Sequence, residues 1–290
     1  MNCCSKAKVN RYGCVSFIIP HCAREDLLRR SMEGLAKQEV KIPFEVVVAD
    51  NSPSQRSRNV TSIERTPWPF PVQYIEASEI RGPSFPRNQG AKRAKFQYLA
   101  FLDDDAIPNP DWISAIHEFF KNHDEVGILA GKMEPARLEH PLEHSRQFFY
   151  DQREQQYQCV QKTKEIAARY NLDVPQDYFL MDFFTAANAA CRADLFEKLG
   201  GYEVNIIHGQ DHDLAVRCLK TKNAVAYVPD MKVRHEHGRS YGRFIKKSYC
   251  HGVTTAERVI VLEERRPYWR ECGLRLMESA QAVGNCMMSF

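Results

Sequence analysis

Phe101-Leu102-Asp103-Asp104-Asp105-Ala106-Ile107-Pro108 is the stretch whose reading decides this chain. The hydrophobic run Tyr98 to Leu102 has the composition of a buried strand. It ends abruptly in three acidic side chains, and Pro108 and Pro110 then predict an end to sheet pairing. Adjacent carboxylates repel, so a folded chain tolerates them best where a cation, water or a cationic partner neutralises them. A hard divalent cation such as Mg²⁺ takes oxygen ligands, typically one or two carboxylates plus substrate phosphates. The segment therefore reads as a candidate metal and diphosphate site at the end of a strand. The competing reading is a solvated acidic loop.

Upstream, Val15-Ser16-Phe17-Ile18-Ile19-Pro20 is a short β-branched run closed by proline, a first strand. From Glu25 to Lys37, Leu27, Leu28, Met32 and Leu35 recur at helical spacing. Phe44 to Ala49 is a second apolar run and ends in Asp50-Asn51-Ser52-Pro53. Strand–helix–strand order predicts a parallel sheet with right-handed crossovers. Ligands bind beyond the carboxyl ends of such strands, which would bring Asp50 and Asp103–Asp105 to one edge. The prolines Pro67, Pro69 and Pro71 mark an extended connector, and Val72 to Ile75 a third strand. The turn-rich stretch Arg81 to Gly90 leads into a helix from about Pro86 to Lys95. Arg87, near its start, could serve a diphosphate together with free backbone amides, or simply pair with a neighbouring carboxylate.

Downstream, Asp111 to Lys121 is an amphipathic helix and Val126 to Gly131 a strand. Residues 138–178 are polar, with helical stretches such as Gln161 to Tyr170 but weak apolar periodicity. They read as an insertion over the sheet edge, an acceptor pocket or a homodimer contact. Phe183 to Cys191 is strand-like. Arg192 to Leu199 is a helix stopped by Gly200-Gly201. In Ile207-His208-Gly209-Gln210-Asp211-His212-Asp213, Asp211 falls at a helix start, where the helix dipole favours its ionised form and where an N-cap is the alternative. Ala224 to Pro229 is a late strand, followed by His235 and His237, either of which could join Asp105 on a metal or be structural. The tail from Arg239 to Glu264 carries Arg239, Arg243, Lys246, Lys247 and Arg258 on a helical pattern, suited to an anionic membrane surface or to a solvated face.

Totals narrow the class. The chain has 290 residues, 43% hydrophobic and 27% charged, as in an ordinary globular protein, long enough for one large α/β domain or one domain with an appendage. A net charge of +3 gives no reason to expect nucleic acid. No apolar run is long enough to span a bilayer, and the start lacks a secretory core, so a cytoplasmic protein is expected, with peripheral membrane contact left open. Ten scattered cysteines without a Cys-x-x-Cys pair read as reduced thiols. Asn2 stands where a myristoylation signal needs glycine, which argues against lipidation near Cys3-Cys4.

Six segments in order, Val15–Pro20, Phe44–Ser52, Arg87–Gly90, Phe101–Pro108, Gly209–Arg217 and Val233–His235, resemble the family 2 glycosyltransferases over roughly residues 13–252. The resemblance implies a GT-A fold: α/β, a Rossmann-like, mostly parallel sheet flanked by helices. The catalytic domain would run over 13–236, after a loose N-terminus (1–12) and before a helical C-terminal segment (237–290). It also implies inverting transfer of a sugar from a nucleotide diphosphate, a UDP-sugar above all, to a glycan, lipid-linked or small-molecule hydroxyl.

By this resemblance, Pro20 and the loop to Arg24 border the nucleotide, although His21-Cys22-Ala23-Arg24 departs from the family's usual Thr-Tyr-Asn-Arg-like stretch. Asp50 matches the acid that contacts the base, and Arg87 a residue near the diphosphate. Asp103 and Asp104 face the ribose and the metal shell, and Asp105 holds Mn²⁺ or Mg²⁺. Asp211 matches the general base, with Gln210 in place of the family's glutamate, and His235 a further metal ligand. Two other readings stand beside this one. A sugar nucleotidyltransferase is disfavoured by the lack of a Gly-rich, Lys-containing loop after the first strand; a non-catalytic nucleotide-sugar-binding module is kept open by Gln210.

Overall fold

The computed structural model describes residues 13–39, 42–52, 63, 65–206, 209–242, 244, 245 and 249. The expectations for residues 1–12, for Ile207 and His208, and for most of the tail after Tyr241 lie outside the described residues.

A mixed sheet carries the molecule. In chain order its strands are β1 (Val15–His21), β2 (Phe44–Asp50), β3 (Val72–Glu76), β4 (Tyr98–Leu102), β5 (Ala106–Pro108), β6 (Val126–Pro135), β7 (Phe179–Leu180), β8 (Asn188–Arg192) and β9 (Ala224–His235). Spatially they lie β3-β2-β1-β4-β8-β6-β9-β5, with β7 also on β9. The β3-β2-β1-β4 half is parallel, β8 runs antiparallel between β4 and β6, and β6 pairs parallel with β9. The inner parallel strands β1, β2 and β4 are buried on both faces, which is why Val15–Ile19 and Val46–Ala49 read as nearly continuous apolar runs rather than alternating ones. A mixed α/β sheet flanked by helices agrees with the fold the resemblance implied.

The helices are α1 (Glu25–Ala36), α2 (Ser84–Arg93), α3 (Trp112–Asn122), α4 (Pro141–Tyr157), α5 (Val160–Tyr170), α6 (Ala193–Lys198) and α7 (Gln210–Lys220). Leu28, Met32 and Leu35 of α1, and Trp112, Ile113, Ile116 and Phe120 of α3, bury one face each against the sheet. Trp112 Nε1 donates to Asn188 Oδ1 at 2.8 Å, so the largest core side chain has its polar atom satisfied.

Three local expectations are corrected. Pairing does not end for good at Leu102: Ala106–Pro108 forms β5, antiparallel to Val233–His235 at the end of the strand order, a position that tolerates a proline, and it stops at Pro108 as expected. The late strand does not stop at Pro229. The β6–β9 register breaks after Val228 and resumes at Lys232, so Pro229 and the exposed Asp230 sit in an irregularity that β9 passes through. Phe183–Ala187 is not strand, since pairing begins only at Asn188. These residues are apolar because Phe184, Ala186 and Ala187 are buried, which periodicity alone does not distinguish from a strand.

Candidate active site

The carboxyl ends of the parallel strands gather the acidic groups. Asp50, the last residue of β2, pairs in register with His21, the last of β1. Leu102 ends β4 one strand over, and Asp103–Asp105 follow it. Asp50 is 2% exposed; its Oδ1 accepts from the Ser52 amide at 2.8 Å and its Oδ2 from the Tyr74 hydroxyl. Pro20 lies near the end of β1, half-buried.

The three aspartates face different partners. Asp104 turns inward and is fully buried, accepting from His21 Nδ1 at 3.0 Å and from the Arg24 guanidinium. Burial raises its pKa against the opposing pull of His21 and Arg24. Asp103 is 28% exposed and accepts from Arg87 Nη2 at 2.7 Å. Asp105 Oδ2 accepts from Arg24 Nη1 at 2.5 Å, while Oδ1 lies 3.2 Å from His235 Nε2. Burial would raise the Asp105 carboxyl, but His235 and Arg24 outweigh it and hold it far below the usual carboxylate range.

Helix α2 delivers Arg87. Ser84, Arg87 and Gly90 follow one another at i, i+3 and lie on its buried face. A Cβ on Gly90 would come within 2.5 Å of Ile18 Cγ2, so only glycine lets α2 approach β1 this closely. Asn88 then ties the helix to the chain after Gly200-Gly201, donating to Tyr202 O at 2.7 Å and accepting from Tyr202 N at 2.9 Å. This sets the Tyr202 ring 5.4 Å from the Arg87 guanidinium carbon. Burial alone would lower the Arg87 pKa, but Asp103 and, more weakly, Asp211 raise it well above its usual value.

Asp211 comes from the helix that precedes β9. Gly209, at φ 84°, makes the left-handed turn that opens α7, and Asp211 follows in the first turn. Its Oδ2 accepts from the Ala186 amide at 3.3 Å, while Oδ1 is buried with no hydrogen-bond partner among the described residues. Burial pushes this carboxyl up to about 6, opposed by Arg87 and the Ala186 amide and reinforced by Asp103. Asp213 instead holds Arg217 at 2.6 Å on the outer turn of α7. Beside Thr185, next to the amide that holds Asp211, a pocket between α4 and β6 is lined by Lys132, Tyr150, Arg153, Tyr157 and Tyr227.

Asp105 and His235 are the side chains here that could hold a divalent cation. Asp105 Oδ1 is buried without a hydrogen-bond partner among the described residues and lies 3.2 Å from His235 Nε2. That is about the ~3 Å separation of adjacent ligands on an octahedral Mg²⁺ with ~2.1 Å bonds. No cluster of three His, Cys, Asp or Glu side chains occurs among the described residues. A metal held by Asp105 and His235 alone would leave coordination positions for substrate phosphates, as Mg²⁺ sites commonly do.

The sequence anticipated neither Tyr202 nor the α4 side chains that back His235. Gly200-Gly201 marked the turn before Tyr202 but not where its ring would lie.

Residues 16–200, more than half of the chain, match the family model described as glycosyl transferase family 2. The chain belongs to glycosyl transferase family 2. Among family 2 relatives, the O-antigen chain rhamnosyltransferase WbaN of Salmonella anatum is 24% identical over 219 residues, 75% of this chain and 64% of that protein. The glucosyl-dolichyl phosphate glucuronosyltransferase of Haloferax volcanii is 25% identical over 188 residues, 61% of this chain and 55% of that protein. This chain thus spans about half to two-thirds of these relatives' lengths. The mannosyltransferase PcManGT from Pyrobaculum calidifontis, solved with GDP-Man and Mn²⁺, superposes with a TM-score of 0.61 at 18% identity, covering 95% of this chain and 75% of that one. TarS 1-349 of S. aureus, solved with UDP-GlcNAc, superposes with a TM-score of 0.55 at 17% identity, covering 83% of this chain and 66% of that one. Both likenesses are in the fold.

Proposed function

We propose that this family 2 protein transfers a sugar from a nucleotide diphosphate, a UDP-sugar above all, to an acceptor hydroxyl with inversion. One observation carries the reading: the buried Arg87 donates to Asp103 Oδ1 at 2.7 Å, and Asp211, distant in sequence, lies near enough for its carboxyl to feel the same charge. Arg87 lies where the diphosphate would leave and Asp211 where the acceptor would enter.

Arg87 holds the departing diphosphate by charge-assisted hydrogen bonds, with its Nε and Nη1 carrying no partner among the described residues. A divalent metal on Asp105 and His235, Mn²⁺ or Mg²⁺, would offset charge developing on the leaving phosphate. Asp211 Oδ1 takes the acceptor hydroxyl proton as the acceptor oxygen bonds to the anomeric carbon and the bond to the diphosphate breaks. One displacement inverts the centre. The pocket between α4 and β6, beside Thr185, is the side from which an acceptor would approach Asp211. Asp50, Pro20 and the Arg24 loop flank the base and ribose; Arg24 reaches them by leaving Asp104 and Asp105, a move open to it because its side chain is 45% exposed.

Among the described residues no helix is long and apolar enough to cross a membrane. The basic tail and residues 138–178 are the segments for any membrane or dimer contact.

A panel of nucleotide sugars, each with and without Mn²⁺, tests the reading by thermal shift and product analysis. A donor that raises Tm only with Mn²⁺ and releases nucleoside diphosphate supports it. Release of pyrophosphate identifies a nucleotidyltransferase, and binding without release identifies a binding module.

A further inference from the structure

A chain of hydrogen bonds runs away from His235 into α4, and its direction is forced from the far end. Gln147 Nε2 lies 3.3 Å from the Met133 carbonyl oxygen and 2.8 Å from Asp151 Oδ1. Both are acceptors only, so the amide nitrogen must point at them and Gln147 Oε1 must point the other way. Oε1 meets His237 Nε2 at 3.4 Å, and as a carbonyl it can only accept, so His237 carries its proton on Nε2. His237 Nδ1 is then a bare lone pair. It lies 3.3 Å from His235 Nδ1, which must therefore be the protonated nitrogen of His235. The Tyr150 ring stacks on His237 with centroids 5.5 Å apart and planes 14° apart, and both His237 and Gln147 are buried, so the rings have little freedom to reverse this order.

We infer that Gln147 and His237 are positioning residues that lock His235 in the Nδ1–H tautomer and so present its Nε2 lone pair to a divalent cation beside Asp105. The other end of the chain agrees. His235 Nε2 and Asp105 Oδ1 are 3.2 Å apart, yet Asp105 Oδ1 has no hydrogen-bond partner among the described residues. Without a metal the two form an ion pair when His235 is protonated on both nitrogens; a divalent cation would displace the Nε2 proton and bond to both, while the Nδ1 proton stays directed at His237. Outer groups that fix ring orientation and tautomer commonly set metal affinity as strongly as a ligand does. The inference rests on the reading of Asp105 and His235 as a metal site. It adds that selectivity for that site over a second arrangement of the same two histidines comes from α4, 90 residues away in sequence.

The test measures Mn²⁺ binding in the presence of UDP by electron paramagnetic resonance of free Mn²⁺, so that no turnover is needed. His237→Phe keeps the ring on Tyr150 but offers no acceptor to His235, and should weaken Mn²⁺ binding by about 10- to 100-fold. His237→Asn places a side-chain oxygen near the Nδ1 position and should stay within a few-fold of the wild type. Gln147→Leu, which touches neither candidate ligand, should weaken binding by about tenfold. Nitrogen-15 spectra of the metal-free protein, with His235 assigned by its loss in His235→Ala, should show the Nδ1–H form. Equal Mn²⁺ affinity in folded His237→Phe and wild type, or a neutral His235 protonated on Nε2, overturns the inference while leaving the metal site standing. Failure of the wild type itself to bind Mn²⁺ overturns both.

Discussion

Arg87 Nη2 donates to Asp103 Oδ1 at 2.7 Å, and this single bond joins α2 to the loop that leaves β4. Arg87 is 4% exposed and is flanked by Asp103, Tyr202 and Asp211, so its charge is surrounded by groups that need it. Arg87→Ala should lower stability by about 2 kcal/mol in urea titrations, because it leaves the part-exposed Asp103 and the buried Asp211 without their cation. Arg87→Lys should stay folded but lose the planar fork, lowering nucleoside diphosphate release by about 100-fold. Near-normal release from folded Arg87→Lys would remove Arg87 from the chemistry.

Replacing Asp211 by asparagine should separate function from stability. Transfer should fall by about 10²- to 10⁴-fold with donor affinity kept. The folded-state pKa is raised from 3.8 to about 6, so the folded protein binds this proton more tightly than the unfolded chain does. Any stability this carboxyl provides is present below 3.8 and lost as pH rises through about 6. At pH 7.5, Asp211→Asn should therefore be more stable than the wild type by about 1–2 kcal/mol, and near pH 3.5 the difference should close. A variant destabilised at both pH values would show that the carboxylate is structural.

The same shift predicts a pH profile. A base must be ionised to accept a proton, so kcat/KM should rise with unit slope up to about pH 6 and level off above it. Residual activity of Asp211→Asn should lack that limb. An unchanged limb in the variant would assign it to another group.

Neighbouring aspartates should behave differently. Asp104 is fully buried on His21, so Asp104→Ala should cost about 2 kcal/mol of stability by leaving the buried imidazole without its partner, while the half-exposed Arg24 keeps Asp105. Asp105→Ala should leave the fold in place and abolish the Mn²⁺ dependence of UDP binding, at least 100-fold in affinity by calorimetry. Unaltered Mn²⁺ enhancement in Asp105→Ala would move the metal elsewhere.

The strands and the acidic edge were legible because parallel, doubly buried strands are written as nearly unbroken apolar runs. Asp50 and Asp103 are simply the first polar residues after two of them. Helix α4 was harder to read for a physical reason: its buried face includes Glu143, Ser145 and Gln147, so its apolar periodicity is weak where it turns toward the site. Glu143 is satisfied by the amides of Glu139 and His140, at 2.8 and 2.9 Å, and by Arg239 at 2.7 Å. The pairing of β5 with β9, the bulge at Pro229 and the contact of His237 with Gln147 depend on registers between distant segments, which local pattern does not encode.

The most direct test of the account is a crystal of the full chain grown with UDP and Mn²⁺ and measured at the manganese edge. The account predicts one anomalous peak between Asp105 and His235 Nε2, with the diphosphate in reach of Arg87 and Asp211 facing it across the sugar position. A peak on other ligands, or a diphosphate bound away from Arg87 with Asp211 opening onto a separate surface, would contradict it.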